Sequence, residues 1–405
     1  MAHIVIAVSS LKGLLYASFE MASRLISEGH YITYMCPISV KKDIESEGFS
    51  FIEVPEVGFY YNPKIIKNKS WSAKLRTHVS GVGLEYETRK NELSIPNYKR
   101  VLETLNPDIV LCDIQLHEII FAAYGLKIPV KLLSPWFCFR RLPGIPPIRY
   151  HVVPDKGLKG SKIGMTYFWL KVKLKTYARY IVDILTFNNY RRQTIKQYGK
   201  EVGFPVKRLI LRNFPSYFIY DNLPILSMTN RGMEFPYKAP KNITYIGAMV
   251  YEKRANIEYP EADSIRLSKI INSKKSENKK LIYYGMGSMA KGDITFIKQF
   301  FEAVKNEPTW ILIISLGKNL NLEDFASIPN NVHVFNWVLQ PYLLKHIDCC
   351  INHLGINTIN ECIHNKVPML CYSWGMTDQN GNAARVEYFG LGIIGNKDKD
   401  MSLIH

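Results

Sequence analysis

The 405-residue sequence is most informative first in what it lacks. No apolar run reaches membrane-spanning length. The N-terminus has no signal-peptide pattern, with its charged start, apolar core and small-residue cleavage site. The seven cysteines, at 36, 112, 138, 349, 350, 362 and 371, form neither a metal-spaced group nor an even disulfide framework. Several lie inside apolar runs, which makes them expected buried thiols of a reducing compartment. No internal repeat or low-complexity tract interrupts the chain. Acid is scarce beside base: 35 Asp and Glu face 52 Lys and Arg, for a net charge of +17. Such a surplus expects a negatively charged partner or surface. No nucleic-acid-binding motif accompanies it, so nucleic acid is not that partner. These absences give a cytoplasmic protein, with peripheral contact to an anionic membrane allowed.

The length predicts two domains, and the apolar content is ordinary for globular ones. The chain opens with a buried-strand run, His3 to Val8, then a turn, then helical periodicity from Leu15 to Ser27. A second strand run, His30 to Cys36, completes a βαβ opening. The turn has no G-x-G-x-x-G, so no dinucleotide site is expected there. Asp108 to Asp113 and Pro129 to Ser134 read as further strands. Residues 55–100 are polar, rich in Tyr and Lys, and weakly periodic. Pro135 to Pro154 holds five prolines together with Arg140 and Arg141, and reads as an extended loop over a cleft mouth.

Gly164 to Tyr190 reads as a long helix crowded with aromatic and aliphatic residues. Lys171, Lys175 and Arg179 follow at i, i+4, i+8, with Lys173 nearly opposite. Such a helix suits a lipid surface or the wall of a greasy cavity; the alternative is a core helix with a solvated cationic stripe. Leu209 to Met228 holds the last strand expected in a first domain, and Asn242 to Gly247 follows it. A charged stretch, Tyr251 to Lys280, is the expected linker. The sequence thus divides as 1–248, linker 249–278, and 279–405.

The second part repeats the strand-and-turn rhythm. Lys280 to Gly285 runs into Gly287-Ser288; Trp310 to Gly317, Val332 to Phe335 and Ile347 to Asn352 are further strand runs. After the last comes a tight turn, His353-Leu354-Gly355, and then a helix start, Asn357-Thr358-Ile359-Asn360-Glu361. Strand, glycine turn and helix N-terminus together form an anion site, because unsatisfied N–H groups and the positive dipole end face the ligand. His353 at the strand exit offers a donor to a phosphate oxygen, and Asn357 and Thr358 offer side-chain donors. Glu361, one turn on, can accept from vicinal ribose hydroxyls. Trp337, after the preceding strand, offers a flat face for a base. Asp378 and Gln379 combine the acceptors and donors that sugar hydroxyls need. Each of these residues alone is common furniture of an α/β protein; the ordered set is not.

That ordered set resembles the C-terminal signature of the UDP-glycosyltransferase superfamily, inverting nucleotide-sugar enzymes of GT-B fold that include bacterial macrolide and carotenoid glucosyltransferases. Trp337 and Gln340 match its Trp-x-x-Gln. His353, Gly355, Asn357, Thr358 and Glu361 match its His-x-Gly-x-Asn-Ser/Thr-x-x-Glu at full spacing. Val367-Pro368, Asp378-Gln379 and Asn382-Ala383 match the remainder, with Lys366 where glycine is usual. The resemblance implies an α/β fold of two Rossmann-like, doubly wound parallel-sheet domains facing across a cleft. It implies Trp337 on uracil, His353 and the Asn357-Thr358 pair on the diphosphate, Glu361 on the ribose, and Asp378-Gln379 on the sugar. The Gly287-Ser288 backbone would approach the diphosphate. The resemblance is strong from about Lys280 onward and weak before.

Two departures stand out. Counting back from Gly29-His30, the family's catalytic histidine falls on Leu14, which cannot accept a proton. The aspartate that partners that histidine falls on Asp113, leaving it either a direct base or a structural carboxylate. His117, four residues on, is a candidate substitute on the acceptor side; its alternative is a surface histidine at a helix start. The sequence also ends about twenty residues after Arg385, where related enzymes continue through further helices, so a shortened second domain is expected.

The function expected is transfer of a hexose, glucose first, from a UDP-sugar to a small apolar or phenolic acceptor with inversion, as in natural-product glycosylation. The nucleotide sugar is a co-substrate, and no metal or cofactor is expected. A nucleotide-sugar-binding pseudoenzyme or accessory subunit is the alternative, with Leu14 as its support.

Overall fold

The computed structural model describes residues 1–56, 84–186, 189–253, 260–286, 293–317, 320–325 and 327–397. The chain divides into two compact units, and their boundaries interleave. Unit 1 comprises residues 1–139, 166–229 and 237–249; unit 2 comprises 140–165, 230–236 and 250–405.

Unit 1 is built on a seven-stranded sheet. Its strands are β1 (His3–Ala7), β2 (Tyr31–Cys36), β3 (Ser50–Glu53), β4 (Ile109–Asp113) and β5 (Val130–Ser134). A two-stranded antiparallel ribbon, β6 (Leu209–Leu211) and β7 (Phe218–Tyr220), precedes β8 (Ile225–Ser227) and β9 (Ile243–Tyr245). The sheet order is β3-β2-β1-β4-β5-β8-β9, and every pairing is parallel. The central strands are apolar throughout because helices cover both faces of a parallel sheet: Val5, Ile6, Ala7, Val110, Cys112, Leu132 and Leu133 have no exposed surface.

Unit 2 carries a six-stranded sheet: β10 (Lys280–Gly285), β11 (Trp310–Ser315), β12 (Val332–Phe335), β13 (Cys349–Asn352), β14 (Met369–Cys371) and β15 (Gly392–Ile394). Its order is β12-β11-β10-β13-β14-β15, again all parallel. The helix Ile294–Lys305 packs Phe296, Ile297, Phe301 and Val304 onto Leu312, Ile314, Val332 and Val334 to form its core.

Both sheets are doubly wound. Each begins at a central strand, winds outward one way through two neighbours, then returns to wind the other way. The reversal lies between β1 and β4 in unit 1, and between β10 and β13 in unit 2. In such sheets the loops leaving those two strands diverge and open a crevice at their carboxyl ends.

Several local readings change. The expected linker holds a helix, Glu261–Ser276, which buries Leu267, Ile270 and Ile271. Residues 84–105, within the weakly periodic stretch, form two helices, Leu84–Glu92 and Ile95–Leu105. The long helix runs Lys162–Leu185, and only Trp169, Thr176 and Asp183 of it are buried. It is therefore not a core helix. Six of the seven cysteines are buried free thiols, and Cys349 is half-buried. Among the described residues no helix is long and apolar enough to cross a membrane.

Candidate active site

The β10/β13 crevice collects most of the residues singled out in the second half of the sequence. β13 ends at Asn352, and His353 leaves it directly. Asn352 has no exposed surface; its Oδ1 accepts from the Leu354 amide at 2.9 Å. Asn382, equally buried, donates to the Leu354 carbonyl at 2.9 Å. These two amides fix a turn in which Leu354 takes a φ of 66°, a conformation that a branched residue keeps only when its surroundings impose it. The turn sends His353 back over the sheet, where its Nδ1 lies 3.4 Å from the carbonyl oxygen of Gly285 at the end of β10. Histidine and glycine thus join the two strands that flank the crevice.

Gly355 follows as N-cap of the helix Ile356–His364 and brings no capping side chain of its own. A Cβ on Gly355 would stand 2.9 Å from Nε2 of His353, closer than such contacts occur. Glycine is required here so that the imidazole edge can lie at the helix N-terminus. The first-turn N–H groups of that helix have no intrahelical acceptors, so ring and helix end together make an anion site. Burial holds the His353 imidazole below the usual histidine range, opposed by the Gly285 carbonyl and by Asp378.

Thr358 and Glu361 are both buried on the same helix. Gln340, which opens the short helix Gln340–Leu343, donates through Nε2 to Glu361 Oε2 at 2.5 Å and to Thr358 Oγ1 at 3.3 Å. Tyr283 of β10 donates to the Gln340 carbonyl at 3.1 Å. Trp337 stands just beyond β12 with 46% of its surface exposed, a large apolar face turned to solvent.

Asp378 is the N-cap residue of the helix Gln379–Tyr388. Its carboxylate accepts from Thr377 Oγ1 and from Asn382 Nδ2, both at 2.8 Å. Burial raises its pKa above the ordinary carboxylate value, opposed by those two hydrogen bonds and by His353. The Gln379 carbonyl accepts from the Trp374 and Met376 amides at 2.9 and 3.3 Å, which leaves its N–H groups to serve as donors. Asn357 lies half-buried in the first turn after Gly355. Gly287 and Ser288 lie outside the described residues.

The β1/β4 crevice of unit 1 holds the other set. Asp113 ends β4 with no exposed surface. Its carboxylate accepts from Ser9 Oγ and from the Gln115 amide, both at 3.0 Å, and burial pushes its pKa up to about 6. Ser10, next along, donates through Oγ to Glu56, an exposed carboxylate beyond β3. Asp113 and Glu56 both act on the Cys36 thiol, which burial drives to about 12. Leu14 is 4% exposed in the first turn of the helix Lys12–Ser27.

His117 is not a surface histidine. It is 1% exposed, with Nδ1 at 2.5 Å from the Tyr220 hydroxyl and Nε2 at 2.5 Å from Ser216 Oγ. Burial, then the Arg191 charge, drives its pKa well below the usual histidine range. Both ring nitrogens serve the protein interior, so it is not placed to take a proton from a substrate.

Sequence reasoning missed Ser9, Glu56 and Asn352. Ser9 and Asn352 carried one signal, a small polar residue closing a buried apolar run. Glu56 carried none, because only the sheet order brings it beside Ser10.

Residues 225–402 match the family model described as UDP-glucoronosyl and UDP-glucosyl transferase. The putative UDP-glucuronosyltransferase ugt-47 of Caenorhabditis elegans is 27% identical over 209 residues, which cover 50% of this chain and 35% of that protein. The oleandomycin glycosyltransferase of Streptomyces antibioticus is 28% identical over 114 residues, 28% of this chain and 26% of that one. The chain spans about a third of the length of the curated relatives it matches first. Among solved structures, the glycotransferase of kitacinnamycin superposes with a TM-score of 0.64 at 18% identity, covering 100% of this chain and 89% of that one. CalG4, the calicheamicin glycosyltransferase, gives 0.61 at 15% identity, covering 98% and 86%. The signature residues gather at a doubly wound switch point within the stretch that matches the UDP-glucoronosyl and UDP-glucosyl transferase model, and the chain has the GT-B fold of these glycosyltransferase structures.

Proposed function

We propose that this protein transfers a hexose, glucose first, from a UDP-sugar to a small apolar acceptor with inversion at the anomeric carbon. The observation that carries the reading is the β10/β13 crevice, where His353, a helix N-terminus, Gln340 and Glu361 converge. The acceptor oxygen forms its bond to the anomeric carbon on the face opposite the breaking bond to the diphosphate, and UDP leaves. Negative charge grows on the diphosphate as it departs, and His353 with the helix N-terminus stabilises it. Trp337 carries the base, Glu361 the ribose, and Asp378 with Gln379 the sugar hydroxyls.

Leu14 stands where the resemblance expects a histidine, so the acceptor's proton goes elsewhere. Asp113 and Glu56 are the carboxylates available, and an Asp113 with a pKa of about 6 is ionised at neutral pH and more basic than an ordinary aspartate. A relative named oleandomycin glycosyltransferase and fold neighbours named for kitacinnamycin and calicheamicin favour a natural-product acceptor. Two further neighbours are titled as complexes with DTDP or thymidine diphosphate. Thymine and uracil present the same pairing edge, but a deoxyribose lacks one of the two hydroxyls Glu361 can bind, so the ribonucleotide is the expected donor. The buried free thiols suit a cytoplasmic setting.

The test is turnover of UDP-glucose and dTDP-glucose against a panel of terpenoid, polyketide and phenolic acceptors, read by mass spectrometry. Glucosylated product from UDP-glucose supports the reading. UDP-glucose binding with no product on any acceptor contradicts it.

A further inference from the structure

The helix Lys162–Leu185 carries an apolar seam on its outer side. Within the part that belongs to unit 1, Tyr167, Leu170, Leu174, Tyr177, Ile181 and Leu185 are between 50% and 65% exposed. Their spacing alternates three and four residues before a final step of four. At about 100° per residue they fall within an arc of about 80°, along a rod about 28 Å long. The buried residues Trp169, Thr176 and Asp183 hold the opposite side to the unit. A solvent-facing seam of this length is not what a single folded chain leaves uncovered.

Charge decides what covers it. Lys171 and Lys175 border one edge of the seam, and Lys173 borders the other. The one acidic residue of the helix, Asp183, is buried and bound to Arg179 and Arg192 at 3.2 and 3.3 Å. A second copy could use the three-and-four spacing as a coiled-coil seam, but it would set lysines against lysines with no acidic residue to answer them. A surface that is greasy within and negative outside matches both features. Lysines at the borders of an apolar face reach outward to headgroups while the face enters the acyl boundary. The chain's net charge of +17 acts in the same direction.

We propose that the Tyr167–Leu185 seam docks the protein onto an anionic lipid surface, with the helix lying in the plane of the interface. The inference stands independently of the transfer reaction.

Sedimentation with phosphatidylcholine vesicles, with and without 30% phosphatidylglycerol, tests it on the full chain. The wild type is expected to pellet with the anionic vesicles at low salt and to be released by 0.5 M NaCl. L170E/L174E is expected to stay in solution. K171Q/K173Q/K175Q is expected to lose roughly 100-fold in partitioning, about fivefold per lysine. Unchanged thermal unfolding of both variants shows that they fold. No co-sedimentation of the wild type at low salt overturns the proposal, as does an L170E/L174E variant that pellets like the wild type. Light scattering that finds a wild-type dimer, dissociated by L170E/L174E and indifferent to vesicles, also overturns it and makes the seam a self-association surface.

Discussion

Gln340 Nε2 donates to the Glu361 carboxylate at 2.5 Å, joining two parts of the sequence signature into one side-chain network. The same amide reaches Thr358, and Tyr283 fixes its carbonyl. In the proposed reading Gln340 acts on the nucleotide through Glu361, by holding the carboxylate for the ribose hydroxyls. Gln340→Ala is expected to weaken UDP binding by about 1–2 kcal/mol, roughly 5- to 30-fold, from the lost orientation and the lost hydrogen bond to a buried carboxylate. Glu361→Ala should cost about 1.5–3 kcal/mol, since it removes a charged acceptor. Calorimetric titration with UDP distinguishes the two.

Trp337→Ala is expected to lose about 1–3 kcal/mol of UDP affinity, the usual cost of removing an aromatic platform from a base. Its folding stability should change little, because 46% of the side chain is already exposed. Trp337→Phe should recover part of the affinity. A melting curve and a UDP titration on the same samples check both halves.

Asp113 makes a prediction with a definite sign. Its folded pKa, about 6, lies above the ordinary 3.8. A carboxyl raised on folding destabilises the protein in its charged form. That penalty starts as pH rises through 3.8 and is complete above about 6, where it amounts to about 3 kcal/mol. Asp113→Asn keeps one acceptor oxygen, for the Gln115 amide, puts an NH2 beside Ser9 Oγ and removes the charge. It is expected to be more stable than the wild type at pH 8 and no more stable near pH 4. Denaturant titrations at the two pH values measure this. If Asp113 is also the base, product formation falls as pH drops below about 6 and collapses in the Asn variant.

His353 should couple donor binding to proton uptake. Burial keeps the free imidazole below the usual histidine range, so it is neutral at pH 7. With Nδ1 toward the Gly285 carbonyl, a proton at Nε2 is added when the diphosphate arrives. UDP-glucose affinity is then expected to fall as pH rises, by at most about tenfold per pH unit between the free and bound pKa values. Calorimetry at pH 7 in two buffers of different ionisation enthalpy should give net proton uptake, and His353→Gln should abolish it.

The Arg385–Glu234 pair, in which neither side chain has exposed surface, ties residues 230–236 to the helix Gln379–Tyr388 within unit 2. Arg385 also donates to the Gly381 carbonyl at 3.0 Å and stacks over Phe235 at 4.5 Å. Glu234→Gln leaves the guanidinium without its counter-charge, and about 3–5 kcal/mol of stability should be lost. Thermal unfolding measures it.

The sequence made the central strands legible. β1, β4, β10 and β11 are continuous apolar runs, the mark of strands buried on both faces. β3, β14 and β15 are short, partly polar or at a sheet edge, and no period singles them out. The helix Glu261–Ser276 was hidden by its charge, since it packs through only three buried residues. Pairings such as Arg385 with Glu234 span 151 positions, and no local pattern reports them. The residues proposed to hold the donor were legible because one contiguous stretch carries them. Ser9, Glu56 and Asp113 come from three strand ends, so the sheet order had to be known before they formed a group.

The most direct measurement is calorimetric titration of the wild type, Trp337→Ala and Glu361→Ala with UDP. The account predicts a single site on the wild type, weakened at least about fivefold in each variant with unchanged unfolding of Trp337→Ala. A wild type that takes up no UDP, or variants that bind it as the wild type does, would contradict the assignment of the β10/β13 crevice.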